Sequence, residues 1–373
     1  MPRLNWPSLL LALFSLVAVP LLAAAPDDAP HTDVQPKEQA AVVAEFRRLG
    51  SRPAQRLALI DRADKLGPIA VDAILRVVHE DLRQPLCDYR QQFTRAAAES
   101  AAARSAVANA AEVAEIRAAV LALSKDEELT EKQIKETGDP GLEKLKKLLV
   151  PRVTDVLRQH PQLKLSRQQL QTLGKQWEKC ATLIMLAEDP QKADPPLKKT
   201  ACAEGADELL ELDLPTFLEY LAKEEELAAA LAMPMEAAAR QILNNNSQLA
   251  AKLDPDEVRC VLDLNVTRLL LGLVPLRLDP ALAAAAREHS ADMQQHDFFG
   301  HESPLPGKKM PWDRAKIFGT TANAENIAVG TIDGAVINAM LWHSPSHHKN
   351  LVGEYARVGA GRYGKHWTEL FGR

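Results

Sequence analysis

The sequence predicts an α+β fold, with a C-terminal α-β-α sandwich preceded by a mainly α-helical N-terminal region. Three observations lead there. From Glu38 to Ala250 the chain is dominated by Ala, Leu and charged residues at helical spacing. Aromatic residues make up only 5% of the chain, which favours helices over a β-sandwich. Beyond Asp254, helical patterns interleave with short strand-like runs, as in a layered domain of helices on a sheet.

Residues 1–25 are expected to form an export signal. Arg3 makes a positive start, Leu9 to Val19 an apolar stretch, and Ala23-Ala24-Ala25 a small-residue cleavage region. The apolar run falls short of the ~20 residues that span a bilayer, so membrane attachment is expected only if the signal stays uncleaved. Residues 26–37, rich in Pro, Asp and Ala, read as a linker. The mature chain is expected outside the cytoplasm, extracellular, at the cell surface or periplasmic. In that oxidising setting Cys87, Cys180, Cys202 and Cys260 allow one or two disulfides in three pairings, or buried free thiols. A formal net charge of -5 supplies no basic face for nucleic acid.

Residues 38–250 read as a helical accessory domain whose role is not legible. Asp139-Pro140 opens a helix with Leu142, Leu145, Leu148 and Leu149 on one face. Ser166 to Gln169 has a capping-box pattern. Thr94 to Leu123 reads as a long alanine-rich helix. Breaks are expected at Lys125–Pro140, Asp189–Pro196 and Asn244–Ser247. The runs Lys144-Lys146-Lys147 and Glu224-Glu225-Glu226 are expected on solvated helix faces.

Residues 254–373 form the second domain. Asp254-Pro255 starts a helix that ends near Gly272, and Asp279-Pro280 starts another with Leu282, Ala286, His289 and Met293 along one side. A short helix covers Pro311 to Phe318. Then follow a strand over Glu325–Val329, a helix over Ile332–Leu341, and strands over Arg357–Arg362 and His366–Phe371. Seven of the ten histidines lie after Arg287, a clustering of titratable groups that marks a candidate site.

The order of eight short motifs in this region carries a family resemblance. They are Leu264-Asn265-x-x-Arg268, Gly272-Leu273-x-Pro275-Leu276, His289-Ser290-x-Asp292-Met293, Phe299-Gly300-His301-x-Ser303-Pro304, Ala324-Glu325-Asn326-Ile327-Ala328, Ser344-Pro345-x-His347-x-x-Asn350, Val358-Gly359-x-Gly361 and Trp367-Thr368-x-x-Phe371. Together they resemble the bacterial branch of the CAP superfamily (the SCP-like domain), which includes cysteine-rich secretory proteins, antigen 5 and plant pathogenesis-related proteins. The resemblance implies an α-β-α sandwich with an open cavity of two histidines and two glutamates, in which the histidines can hold a divalent metal, often zinc. His301 and His366 match the two histidines, and Glu325 the first glutamate. The second glutamate is missing, because Trp342 is followed by His343, Ser344 and Pro345. His347 fills the histidine of the Ser-Pro-Gly-His motif.

The expected cavity therefore comprises His301, Glu325, His347, His366, Ser344 and Asn326. A divalent cation, zinc before others, would sit on His301 and His366 with Glu325 or His347. His343 and His348 are expected at the surface and His289 in the core. Glu369, three strand positions from His366, is expected on the opposite face. Ser303 and Ser344 lie near histidines but outside any nucleophile-elbow motif. The leading expectation is an exported binding module for a peptide, glycan or lipid. The alternatives are a metal-dependent hydrolase with Glu325 as general base and a purely structural envelope protein.

Overall fold

A computed structural model describes residues 34–50, 52–105, 109–188, 217–250 and 253–373. The expected export signal, the break at Asp189–Pro196, Cys202 and the side chain of Cys87 lie outside the described residues. The described residues fall into two compact units. One joins Phe93–Val156 to Glu225–Arg373, and the other takes the described residues of Leu16–Gln92 and Leu157–Glu224. These groupings do not follow a division at residue 250, because helices from the preceding region pack with the C-terminal sheet domain.

In chain order the helices are α1 Val34–Leu49, α2 Pro53–Asp64, α3 Pro68–Ser105, α4 Ala110–Leu123 and the short α5 Glu131–Gln133. A π-helical turn over Ile134–Gly138 leads into α6 Asp139–Leu149. Then come α7 Val153–Gln159, α8 Pro161–Glu188, α9 Phe217–Leu231, α10 Ala237–Ala250 and α11 Pro255–Leu270. The sheet domain follows as β1 Arg277–Leu278, α12 Pro280–Gln295, α13 Pro311–Ile317, β2 Ala324–Val329, α14 Gly334–His343, α15 Pro345–Leu351, β3 Arg357–Tyr363 and β4 His366–Gly372.

The sheet has the order β1-β3-β4-β2, with β1 parallel to β3 and the other pairs antiparallel. Helix α12 covers one face. It comes so close that a Cβ at Gly359 would lie 2.1 Å from Ala283 N, and one at Gly361 2.0 Å from Arg287 N. The two glycines of the Val358-Gly359-x-Gly361 motif thus let a helix rest on strand backbone. Leu282, Ala285 and Ala286 of α12 join Ala315, Ala322 and Leu370 in the core of this layer. Helices α11 and α14 cover the other face, where Asn338 donates to the Cys260 carbonyl. The expected α-β-α sandwich is the observed one.

Both long helices begin as the sequence signals. Asp254 accepts from the amides of Asp256 and Glu257, and Asp279 from those of Ala281 and Leu282, each with proline at the first turn. Gly272, at φ +75°, ends the α11 segment. In the sheet domain two elements go beyond the expectation: β1, which is too short to show a period, and α15, which Ser344-Pro345 opens. Ahead of that domain, the expected break at Lys125–Pro140 is helical from Glu131 onward, through α5 and the π-turn.

Several expectations need correction. Residues 34–37 lie in α1 and not in the linker. Ser166 caps nothing, because α8 begins five residues earlier at Pro161. Asn244–Ser247 lies inside α10, where buried Asn246 donates to the Leu276 carbonyl and accepts from the Leu278 amide, pinning β1. Asp139 does not cap α6, which continues from the π-turn. Its carboxylate accepts instead from Trp342 Nε1 at 2.9 Å and His343 Nε2 at 2.9 Å. Glu224 and Glu225 are buried, and Glu224 pairs with buried Arg90 at 3.0 Å. Cys180 and Cys260 are buried free thiols, which burial pushes up to about 12 for Cys180 and well above the usual thiol value for Cys260. Among the described residues no helix is long and apolar enough to cross a membrane.

Candidate functional site

The site begins where α12 stops. Asp297 takes a left-handed φ of 52°, the Phe298 amide bonds back to the Met293 carbonyl at 3.1 Å, and the chain leaves the helix towards His301. The Ser303 amide then bonds to the Lys309 carbonyl at 2.9 Å, closing a loop that returns to α13. Strand alternation places Glu325 on the α12 face of β2 and Asn326 on the opposite face.

His301 and Glu325 meet directly. The His301 Nδ1–H donates to Glu325 Oε1 at 2.9 Å, since a carboxylate can only accept. The other carboxylate oxygen pairs with Nη2 of Arg314. The Arg314 and Glu325 side chains are 0% and 2% exposed, whereas that of His301 is 47% exposed. Nη1 of Arg314 also lies within hydrogen-bond distance of the carbonyls of His301, Lys308 and Lys309, at 3.1, 3.0 and 3.1 Å. A buried arginine therefore ties the carboxylate to the loop that carries the histidine. Sequence reasoning missed Arg314, and nothing in Pro311-Trp312-Asp313-Arg314 identifies the group it meets.

His347, on α15, has its ring centroid 6.2 Å from that of His301. Burial, and secondarily the His301 charge, push its pKa down. Its Nδ1 is buried without a hydrogen-bond partner among the described residues. Asn326 holds this corner from beneath the sheet. It donates towards the His347 carbonyl at 3.4 Å and to Glu369 Oε2 at 3.1 Å, and accepts from Asn350 Nδ2 at 2.9 Å. His289 is fully buried and donates from Nε2 to the Gly300 carbonyl at 3.1 Å, and burial lowers its pKa to about 4.

The other expected site residues stand elsewhere. His366 pairs in register with Val329, four positions along β2 from Glu325, or ~13 Å along the strand. Its ring contact is Phe299 at 6.4 Å. Ser344 sits at the start of α15, where its carbonyl accepts from the His348 amide at 2.7 Å, and its side chain makes no cap bond. His348, expected at the surface, is fully buried against Trp342 at 4.1 Å and donates from Nδ1 to the Trp342 carbonyl. Glu369 lies on the face opposite His366, as strand alternation requires.

These positions decide what chemistry the corner offers. Zinc sites take three or four N, O or S ligands. Among the described residues no group of three or more His, Cys, Asp or Glu side chains is placed to hold a metal ion. Here Glu325 is already paired with an arginine and His366 stands ~13 Å along the strand, so the residues present do not fit the expected ligand set. The same pairing removes Glu325 as a free general base. What remains is an oriented imidazole. In the neutral ring, with Nδ1–H donated to Glu325, Nε2 carries the lone pair and is the ring's remaining hydrogen-bonding atom.

Residues 262–367 match the family described as "CAP: Cysteine-rich secretory protein family". Two Bacillus subtilis (strain 168) proteins are similar over about a third of the chain. YkwD is 31% identical over 133 residues, covering 34% of this chain and 51% of its own length. The membrane protein YlbC is 30% identical over 122 residues, covering 32% of this chain and 35% of its own length. The chain thus spans about half, or about a third, of these relatives. A solved structure of an extracellular protein containing a SCP domain, from Bacillus anthracis str. Ames, is 30% identical, with a TM-score of 0.30. It covers 32% of this chain and 40% of that one.

Proposed function

Because residues 262–367 form a CAP domain, we propose that the protein is an exported binding module whose ligand docks at the corner of His301 and His347. One observation carries this reading: a half-exposed histidine is oriented by a carboxylate that a fully buried arginine holds. A buried ion pair contributes little net stability against its desolvation, whereas it fixes geometry well. The outward lone pair of His301 suits a ligand that donates an N–H or O–H. Further along the same face of the sheet, reached through Phe299 two residues before His301, lies an apolar ledge. Val329, His366 and Tyr363 stand in register across three strands, with Phe299 against His366. Phe299, Val329 and Tyr363 are 52%, 41% and 41% exposed. An acceptor on the same face as exposed apolar surface suits a peptide or a glycan long enough to reach both, each of which pairs polar hydrogens with carbon faces. Export rests on the Arg3 and Leu9–Val19 signal pattern.

The test is titration of the full chain, labelled at histidine, with N-acetylglucosamine oligomers and separately with a short neutral peptide. Saturable movement of the His301 and His347 signals by one probe, abolished by His301→Ala, is the expected result. Saturable binding of either probe that survives both His301→Ala and Phe299→Ala would place the ligand elsewhere and overturn the reading.

A further inference from the structure

We infer that Arg314 is the positioning residue of this corner, holding His301 in the tautomer and at the height that present Nε2 to a ligand. The inference rests on the binding reading above for its purpose, but its evidence is the geometry of one guanidinium. Arg314 projects from α13 into a site where none of its side chain is exposed. Nη2 grips Glu325 on β2, while Nη1 faces the carbonyls of His301, Lys308 and Lys309 at the two ends of the loop. Both partners of the His301–Glu325 hydrogen bond are therefore anchored to the same planar group. The carboxylate is fixed through its free oxygen, and the histidine through its own backbone carbonyl.

Arginine suits this task for a physical reason. Its fork of N–H donors is rigid and planar, so it can satisfy a carboxylate on one nitrogen and carbonyls on the other without losing either direction. Lysine offers a point charge with no fixed plane. A merely structural arginine would need only to neutralise Glu325. Contact with the carbonyl of the residue that Glu325 orients is the added feature, and it couples loop height to ring tautomer. A histidine tautomer is set by the hydrogen bond its other nitrogen makes. Loss of the guanidinium frees the carboxylate to turn and the loop to lift, and either movement weakens the Nδ1–H bond.

The experiment reads the two ring nitrogens of His301 by 15N shift in the full chain, without ligand, in wild type, Arg314→Lys and Arg314→Gln. Wild type is expected to show a protonated Nδ1 and a bare Nε2. Arg314→Gln is expected to lower the Nδ1–H to Nε2–H population ratio about tenfold, the scale of one charge-assisted hydrogen bond, and Arg314→Lys to restore it in part. If Arg314→Gln fails to fold, Arg314→Lys alone decides, since it keeps the charge and loses the fork. A folded variant whose His301 nitrogens match wild type would overturn the inference. Because no ligand is present, that outcome is distinct from failure of the binding reading, which the titration with His301→Ala reports.

Discussion

Two glutamates at neighbouring positions of the sheet show how partners, and not residue type, set a carboxylate's role. Glu325 pairs in register with Leu370, and Glu369 with Asn326, so the two carboxylates leave the sheet on opposite faces. Both residues are buried, at 7% and 1% exposure. Glu325 meets a buried arginine and a histidine. Among the described residues, Glu369 accepts from the Asn326 amide at 3.1 Å and the Cys260 thiol at 3.5 Å. Burial, against these modest hydrogen bonds, raises its pKa to about 7. One carboxylate is held in place by charge and made directional, and the other is poised to take up a proton.

The largest effect should come from breaking the charged side of this comparison. Arg314→Met leaves Glu325 buried without its cation, and urea unfolding is expected to show a loss of ~3–5 kcal/mol. The double variant Arg314→Met/Glu325→Leu should recover much of that loss, because an apolar pair carries no desolvation cost. Additive losses in the double-mutant cycle would show that the two residues act independently.

Glu369→Gln should have the next effect, and in the opposite direction. A carboxyl titrating near 7 when folded, against an ordinary value of 4.5 when unfolded, binds its proton more tightly in the native state. Its contribution is intact below pH 4.5 and is lost as the pH rises to 7, on the order of 3 kcal/mol in all. The amide has no such proton, so stability at pH 8 should rise and the fall between pH 5 and 8 should flatten in the variant. Asp263, half-buried and raised to about 6, acts in the same sense and leaves part of the slope. An unchanged slope in Glu369→Gln would place the titrating group elsewhere.

His289 supplies the mirror image. Its folded pKa of about 4 lies below the ordinary 6.5, so the unfolded chain binds more protons over that window. Stability is present above pH 6.5 and is lost as the pH falls towards 4. His289→Gln should therefore flatten the acid limb while leaving the alkaline limb to Glu369, by about 1–3 kcal/mol at pH 4.5 relative to the slope in wild type. Thermal melts across pH 4 to 8 on both variants would separate the two limbs.

The same contrast explains what sequence reading reached. Asp254-Pro255 and Asp279-Pro280 carry their helix starts locally, and the strand faces follow from alternation, so α11, α12, β2 and β4 were legible within a few residues. The site's His301 and Glu325 were legible from motif order, because the family resemblance brought together what spacing could not. Arg314 was not legible, since its partners come from another strand and from two ends of a loop. Glu224 and Glu225 misled for a related reason: a run of like charges reads as solvated, and buried Arg90 lies far away in sequence. Asn246 misled through composition, because asparagines suggest a joint, whereas this one bonds across to both sides of β1. Local rules place elements, and buried polar partners are settled only by tertiary contact.

The smallest predicted effect extends the comparison to a third carboxylate, Asp139, whose side chain is 40% exposed. It accepts from Trp342 Nε1 and His343 Nε2, while Gly138 leaves room for the Trp342 ring, to which a Cβ there would approach within 3.2 Å. Arg117 adds bonds to the Leu269 and Leu270 carbonyls at the end of α11. The segment α4–α6 is thereby fastened to the two helices behind the sheet, and through Trp342 to His348 and the α15 segment that carries His347. Asp139→Ala should cost only about 1 kcal/mol, since half-exposed hydrogen bonds exchange readily for water. It should nevertheless alter Trp342 fluorescence and shift the His347 resonances more than those of His301, which answers to Arg314. Equal movement of both histidines would mean that the corner is one rigid body, and not two rings held from opposite sides of the sheet.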